Sequence, residues 1–141
     1  MTRQQLERQL AEHHAGFAAR DARRLAALHA PLGTFASPSH GVVHGRAAIQ
    51  EVYEYWYTAF PDFLLSWESA IIDPPRAALF WAFEGTAAGP FFGDVRSGSR
   101  VKMAGAAEFE FGDEGILAVR HVFDFSAVLI NTGVLKVKPA S

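Results

Sequence analysis

The sequence predicts an α+β domain, with helices packed on one face of a strongly curved, mostly antiparallel sheet. Before Pro31, and again from Arg46 to Phe60, apolar residues recur at three- and four-residue steps, the helical period. After Pro61 they fall in strand-length runs separated by turn signals. At 141 residues, half of them apolar, the chain reads as one domain (residues 1–141) with room for a core and a cavity together.

Leu6, Leu10, His13 and Phe17 share one helical stripe, so a first helix is predicted over residues 3–19. Asp21 is a natural N-cap for a short second helix carrying Leu25 and Leu28 and stopped near Pro31. The stretch PLGTFASPSHGVVHG, with Pro, Gly and Ser at both ends of short apolar pieces, reads as short strands and turns. From Arg46 to Phe60, Ile49, Val52, Tyr53, Trp56 and Phe60 form the stripe of a third helix. Four strands follow: Phe63 to Ile72, Ala77 to Ala88, Ser99 to Phe111 and Ile116 to Val128. DPPR, a Gly- and Pro-rich loop over 89–98 and GDEG separate them.

Several strands are apolar on both sides. Leu79, Trp81 and Phe83 alternate with Phe80 and Ala82, so such a sheet needs two covers. Helices supply one. A second copy of the chain is the simplest other, which predicts a homodimer through the outer sheet face.

The formal charge of −2 without a charged block gives no footprint for nucleic acid or an anionic membrane. No apolar run approaches the ~18 residues of a membrane span, and the polar start MTRQQLERQL is unlike a secretory leader; a cytoplasmic location is expected. The absence of cysteine excludes disulfides, thiolate metal sites and cysteine nucleophiles. The histidines show no metal-site spacing, so no metal is expected.

The stretch FWAFEGTAAGPFFGDVRSGSRVKM, preceded by HGRAAIQEVYEYWYTAFPDF and followed by GILAVRHVFDFSAVLINTG, resembles the SnoaL-like polyketide cyclases. These are a branch of the nuclear transport factor 2-like (cystatin-like) superfamily, with a cone-shaped α+β fold. The resemblance runs from about His44 to Gly133 and lies in order and spacing: Phe60-Pro61-Asp62, Gly85-Thr86 with Gly89 and Gly93, Ser97-Gly98, then a lone Asp124 before an aliphatic run and Gly133. It implies ring closure by intramolecular aldol condensation without metal or organic cofactor, with a strand aspartate as acid and base. The matching position is Asp124. Ala87 stands where many relatives carry His, and Asn131-Thr132-Gly133 replaces a more usual Gln-Leu-Gly.

An aldol closure removes a proton from a carbon beside carbonyls and returns one to the new alkoxide, so a carboxyl of raised pKa can do both. With Asp124 facing the cavity, strand parity puts Arg120, Val122 and Ser126 beside it. His121, Phe123 and Phe125 then lie on the outer face, against the second subunit. The reversed assignment leaves Asp124 in water and the phenylalanines in the core. Arg120 is a candidate anchor for an anionic substrate group, or a solvated arginine at the strand's start. His44 is a candidate second proton carrier and His40 a candidate ligand to a substrate oxygen; either also suits a turn or helix cap. Tyr53, Trp56 and Trp81 suit the lining of a cavity for a small apolar or aromatic ligand, as well as ordinary core packing. Glu84 is the best second carboxylate. Two alternatives stand beside the cyclase: a non-catalytic small-molecule-binding or dimerisation module, and an epoxide hydrolase or isomerase using Arg120, Asp124 and Glu84.

Overall fold

The computed structural model of the protein describes residues 1–140. The elements run α1 (Arg3–Ala18), α2 (Ala22–Ala27), β1 (His29–Ser37), β2 (Gly41–His44), α3 (Arg46–Ala59), β3 (Leu64–Trp67) and β4 (Ile71–Asp73), then β5 (Arg76–Thr86), β6 (Arg100–Gly112), β7 (Gly115–Phe123) and α4 (Phe125–Thr132). The strands form one mixed sheet in the order β2-β1-β7-β6-β5-β3, with β4 also on β5. All pairings are antiparallel except β1 with β7.

Local chemistry sets the helix starts. Thr2 and Gln5 close a capping box on α1, and the Asp21 carboxylate accepts the Arg24 amide at the head of α2. In β5, Leu79, Trp81 and Phe83 are buried while Phe80 and Ala82 are exposed. The odd positions therefore face the helices. Register carries this parity across the sheet, since Trp81 pairs with Gly105 and Gly105 with Phe123. Leu6, Leu10 and Phe17 of α1 and Ile49, Val52, Tyr53 and Trp56 of α3 close the core over that face.

Two strand expectations need correction. The run from Phe63 to Ile72 is two strands, β3 and β4, broken at 68–70. The last strand ends at Phe123 rather than Val128: Asp124 caps a helix that stops at Gly133, whose φ of +83° supplies the left-handed C-cap. Val128 and Thr132, four apart, are the buried residues of that helix. Its β-branched and aliphatic composition suits a strand equally well, so composition alone does not separate the two.

Candidate active site

Between α3, the end of α1 and the inner sheet face lies a cavity of about 50 Å³. That is several times what one water molecule requires. Its walls are Phe17, Phe35, Val52, Trp56, Phe63, Leu65, Phe83, Met103 and Phe123, with Ser37, Tyr53, Tyr57, Trp81 and His121 as the groups that carry polar atoms. Gly105 makes space for one wall. A Cβ there would collide with Cζ2 and Cη2 of Trp81 and stand 2.6 Å from the Val122 carbonyl, so only glycine lets the indole lie across the neighbouring strand. There the ring comes within 6.0 Å of the His121 ring and 5.9 Å of Phe123, centre to centre.

The polar groups fall into two sets. His121 Nε2, Trp81 Nε1 and the Tyr57 hydroxyl are buried and have no hydrogen-bond partner among the described residues. The other two are paired with residues outside the lining: the Tyr53 hydroxyl lies 3.1 Å from His29 Nε2, and Ser37 Oγ accepts the His40 amide at 3.2 Å. A buried polar group without a partner costs about 1–3 kcal/mol, so three among the residues lining one cavity, two on the sheet and one on α3, mark a place suited to a ligand.

Beneath the cavity lies a group of buried histidines. Burial, reinforced by the charge of His29, lowers the pKa of His121 to about 4. Burial and then the Arg46 guanidinium lower that of His29 to about 4, and His13 is pushed well below its usual value by burial and the neighbouring imidazoles. All three are neutral at pH 7. His13 stands among Phe17, Trp67 and Phe109 at ring separations of 4.9–5.2 Å. No grouping of metal-ligand type is found among the described residues. Burial raises the pKa of the Tyr53 and Tyr57 phenols, so both are protonated at pH 7.

Three of the predicted residues, Tyr53, Trp56 and Trp81, meet in the cavity. The others do not. Asp124 is exposed, and its Oδ1 accepts the Ala127 amide at 3.0 Å as the cap of α4. The expected cavity carboxylate is therefore corrected to a structural cap. Parity is the reverse of that expected, with His121 and Phe123 facing the cavity while Arg120 and Val122 are exposed on the outer face. Ser126 and Phe125 belong to α4. Arg120 points to Glu108 at 3.7 Å, and Glu84 is held by Arg100 at 3.0 Å and Lys102 at 3.5 Å. The Arg120, Asp124 and Glu84 arrangement of an epoxide hydrolase is not formed, because the pairs are separate and solvent-facing. His44 is exposed on edge strand β2, opposite Thr34. His40 is outside the cavity lining, half-buried between Tyr55 and Phe92.

The sequence held a signal for His121. Arg120 and His121 are neighbours on opposite faces, and the permanently charged arginine is the harder to bury. Tyr57 and Ser37 carried no such signal.

No helix is long and apolar enough among the described residues to cross a membrane. No curated protein matches the chain. The family described as SnoaL-like polyketide cyclase matches residues 8–131. Among solved structures, AclR of Streptomyces galilaeus, described as a candidate hydroxylase, is similar at 24% identity and TM-score 0.81, over 98% of this chain and 87% of that one. A candidate SnoaL-like polyketide cyclase from Jannaschia sp. CCS1 is similar at 19% identity and TM-score 0.80, over 96% and 99%. A protein of ketosteroid isomerase-like fold from Catenulispora acidiphila, in complex with trimethylamine, is similar at 16% identity and TM-score 0.74, over 89% and 92%.

Proposed function

The chain belongs to the SnoaL-like polyketide cyclase family, and on that premise we propose that its aromatic cavity closes a ring on a carbonyl-bearing apolar substrate, with His121 as the proton carrier. The observation that carries this reading is the buried, unpartnered Nε2 of His121, in a residue that lines the same cavity as two others with unpartnered donors, Trp81 Nε1 and the Tyr57 hydroxyl.

In the proposed sequence, neutral His121 accepts a proton from a carbon next to a carbonyl through Nε2. The electron pair left behind forms the enolate, and its oxygen takes hydrogen bonds from Trp81 or Tyr57. The enolate carbon attacks a second carbonyl of the same molecule, one C–C bond forms, and the proton on His121 passes to the new alkoxide. No atom is gained or lost. With its pKa at about 4, His121 is deprotonated at neutral pH but a weak proton acceptor, since a general base works best with a pKa near the working pH. In a dry cavity its imidazolium is stabilised by the enolate that forms beside it. Entry of a ring requires the aromatic walls to move apart, because the cavity holds about 50 Å³ and a cavity that takes up benzene measures ~150 Å³.

A probe of this chemistry is 2-indanone, a flat ketone with acidic C–H bonds. The protein is expected to speed deuterium uptake at its α-carbons from D2O. His121→Phe is expected to lower that rate by roughly 10²-fold or more, the usual worth of a positioned base, while binding seen by tryptophan fluorescence persists. An unchanged rate in that variant sinks the assignment.

A second reading, a binding module without chemistry, is favoured by one observation: no carboxylate is among the residues lining the cavity. Binding of 2-indanone with no exchange above buffer would select it.

We also infer that two copies pair through the outer sheet face. Phe80, Leu64 and Val122 are 60%, 53% and 52% exposed there, around the small Ala82, Ala104 and Ala106. Isolated apolar side chains are normal on a surface, but a contiguous set on one sheet face suits pairing. This differs from the expected set of His121, Phe123 and Phe125, of which the first two face the cavity and the third lies on α4.

A further inference from the structure

Ser37, the last residue of β1, lines the cavity. The loop Pro38–His40 joins it to β2, with Ser37 paired to Gly41, whose φ of +66° is the left-handed position that completes short hairpin loops. This tight return folds His40 back against the strand end. Its amide donates to Ser37 Oγ at 3.2 Å. Ser39 Oγ then stands 2.8 Å from His40 Nδ1 and 3.2 Å from Ser37 Oγ.

With Nδ1 as the acceptor, the donor order follows. Ser39 donates to the imidazole, and Ser37 donates to Ser39. The His40 ring is fixed edge-on by Tyr55 and Phe92, at 5.3 and 5.2 Å between ring centres, and is only half-buried. One end of the chain of hydroxyls therefore belongs to a residue that lines the cavity, and the other meets a histidine within reach of solvent.

We propose that Ser37, Ser39 and His40 form a proton relay between the cavity and solvent, with His40 as its terminal acid and base. This rests on the reading of the cavity as an acid–base site. In one outward transfer the bound ligand gives a proton to Ser37 Oγ, Ser37 gives its own to Ser39, and Ser39 gives its own to His40 Nδ1. The ligand keeps the electron pair and His40 becomes an imidazolium; the reverse sequence restores both. His121 within the aromatic wall can lend and take back one proton. The relay gives the cavity an exchange route with bulk water, which proton loss from a ligand carbon to solvent requires.

Two measurements on the full chain decide it. In the free protein at neutral pH, ¹⁵N NMR is expected to show His40 with Nδ1 unprotonated and the proton on Nε2, and Ser39→Ala is expected to shift the Nδ1 resonance. A protonated Nδ1 overturns the relay, because no proton can then be received from Ser39. In 2-indanone exchange, Ser39→Ala and His40→Gln are expected to slow deuterium uptake about tenfold or more with binding unchanged, and Ser39→Thr, which keeps the hydroxyl, to restore it. Rates within about twofold of the parent in both variants overturn the relay. If the parent protein catalyses no exchange, the acid–base reading of the cavity falls and the relay with it; exchange that the parent shows and both variants keep overturns the relay alone.

Discussion

The indole of Trp81 lies across Gly105 on the neighbouring strand, in the space that a side chain at that position would fill. That overlap turns Trp81 toward His121 and Phe123, and with them it forms the sheet-side wall of the cavity.

Gly105→Ala is therefore expected to push the indole into the cavity and to lower stability by about 1–3 kcal/mol, the usual range for overpacking. Chemical denaturation measures the second effect and loss of 2-indanone binding the first. Because the added methyl also meets the Val122 carbonyl, the double variant Gly105→Ala with Trp81→Phe separates the causes. Partial recovery of stability in the double variant places the clash on the ring; no recovery places it on the backbone.

Asp124→Ala removes the cap of α4 and is expected to cost about 1 kcal/mol of stability, whereas Asp124→Asn, which keeps an acceptor oxygen, is expected to be near neutral. Deuterium uptake by 2-indanone is expected to be the same in both as in the parent. A variant that stays as stable as the parent but loses exchange would return the carboxylate to the site.

The family resemblance and the helical and turn signals made the α+β fold legible, because periodicity and breakers act locally. Tyr53, Trp56 and Trp81 were legible for the same reason: large rings on inward stripes have few other places to go. What the sequence hid was the end of β7. Buried strands and buried helices share an aliphatic composition, and the choice at FSAVLINTG was made by an Asp cap at one end and Gly133 at the other. Reading that segment as strand, with its acid inward, inverts the parity of β7 and sends His121 to the wrong face. The Ser37, Ser39 and His40 chain was hidden because it depends on a loop folding back, which neither period nor composition encodes.

Acid is expected to destabilise the protein through its buried histidines. The folded pKa values of His29 and His121, about 4, lie below the unfolded value of about 6.5. The unfolded chain therefore binds more protons between these limits, so stability is full above pH 6.5 and falls as pH drops toward 4. Each of the two contributes a loss of roughly 3 kcal/mol across that window, with His13 adding to it in the same direction. Thermal denaturation between pH 7.5 and 4.5 measures the slope. A melting temperature flat over that range would contradict neutral burial of these rings.

The outer sheet face predicts self-association. Sedimentation of the parent chain is expected to show a dimer, and Phe80→Glu or Val122→Glu to give a folded monomer, since a charge buried at an apolar contact without a partner is strongly unfavourable. A monomeric parent, or a dimer untouched by both substitutions, would leave this face without the proposed role.

The role proposed for the cavity requires that a bound ligand meet Nε2 of His121. The direct measurement is ¹⁵N NMR of the His121 ring during titration with phenol, whose hydroxyl stands in for an enol. A saturable shift of the Nε2 resonance, absent for benzene, is the predicted result. Phenol that binds and quenches tryptophan fluorescence while leaving that resonance unmoved would contradict it.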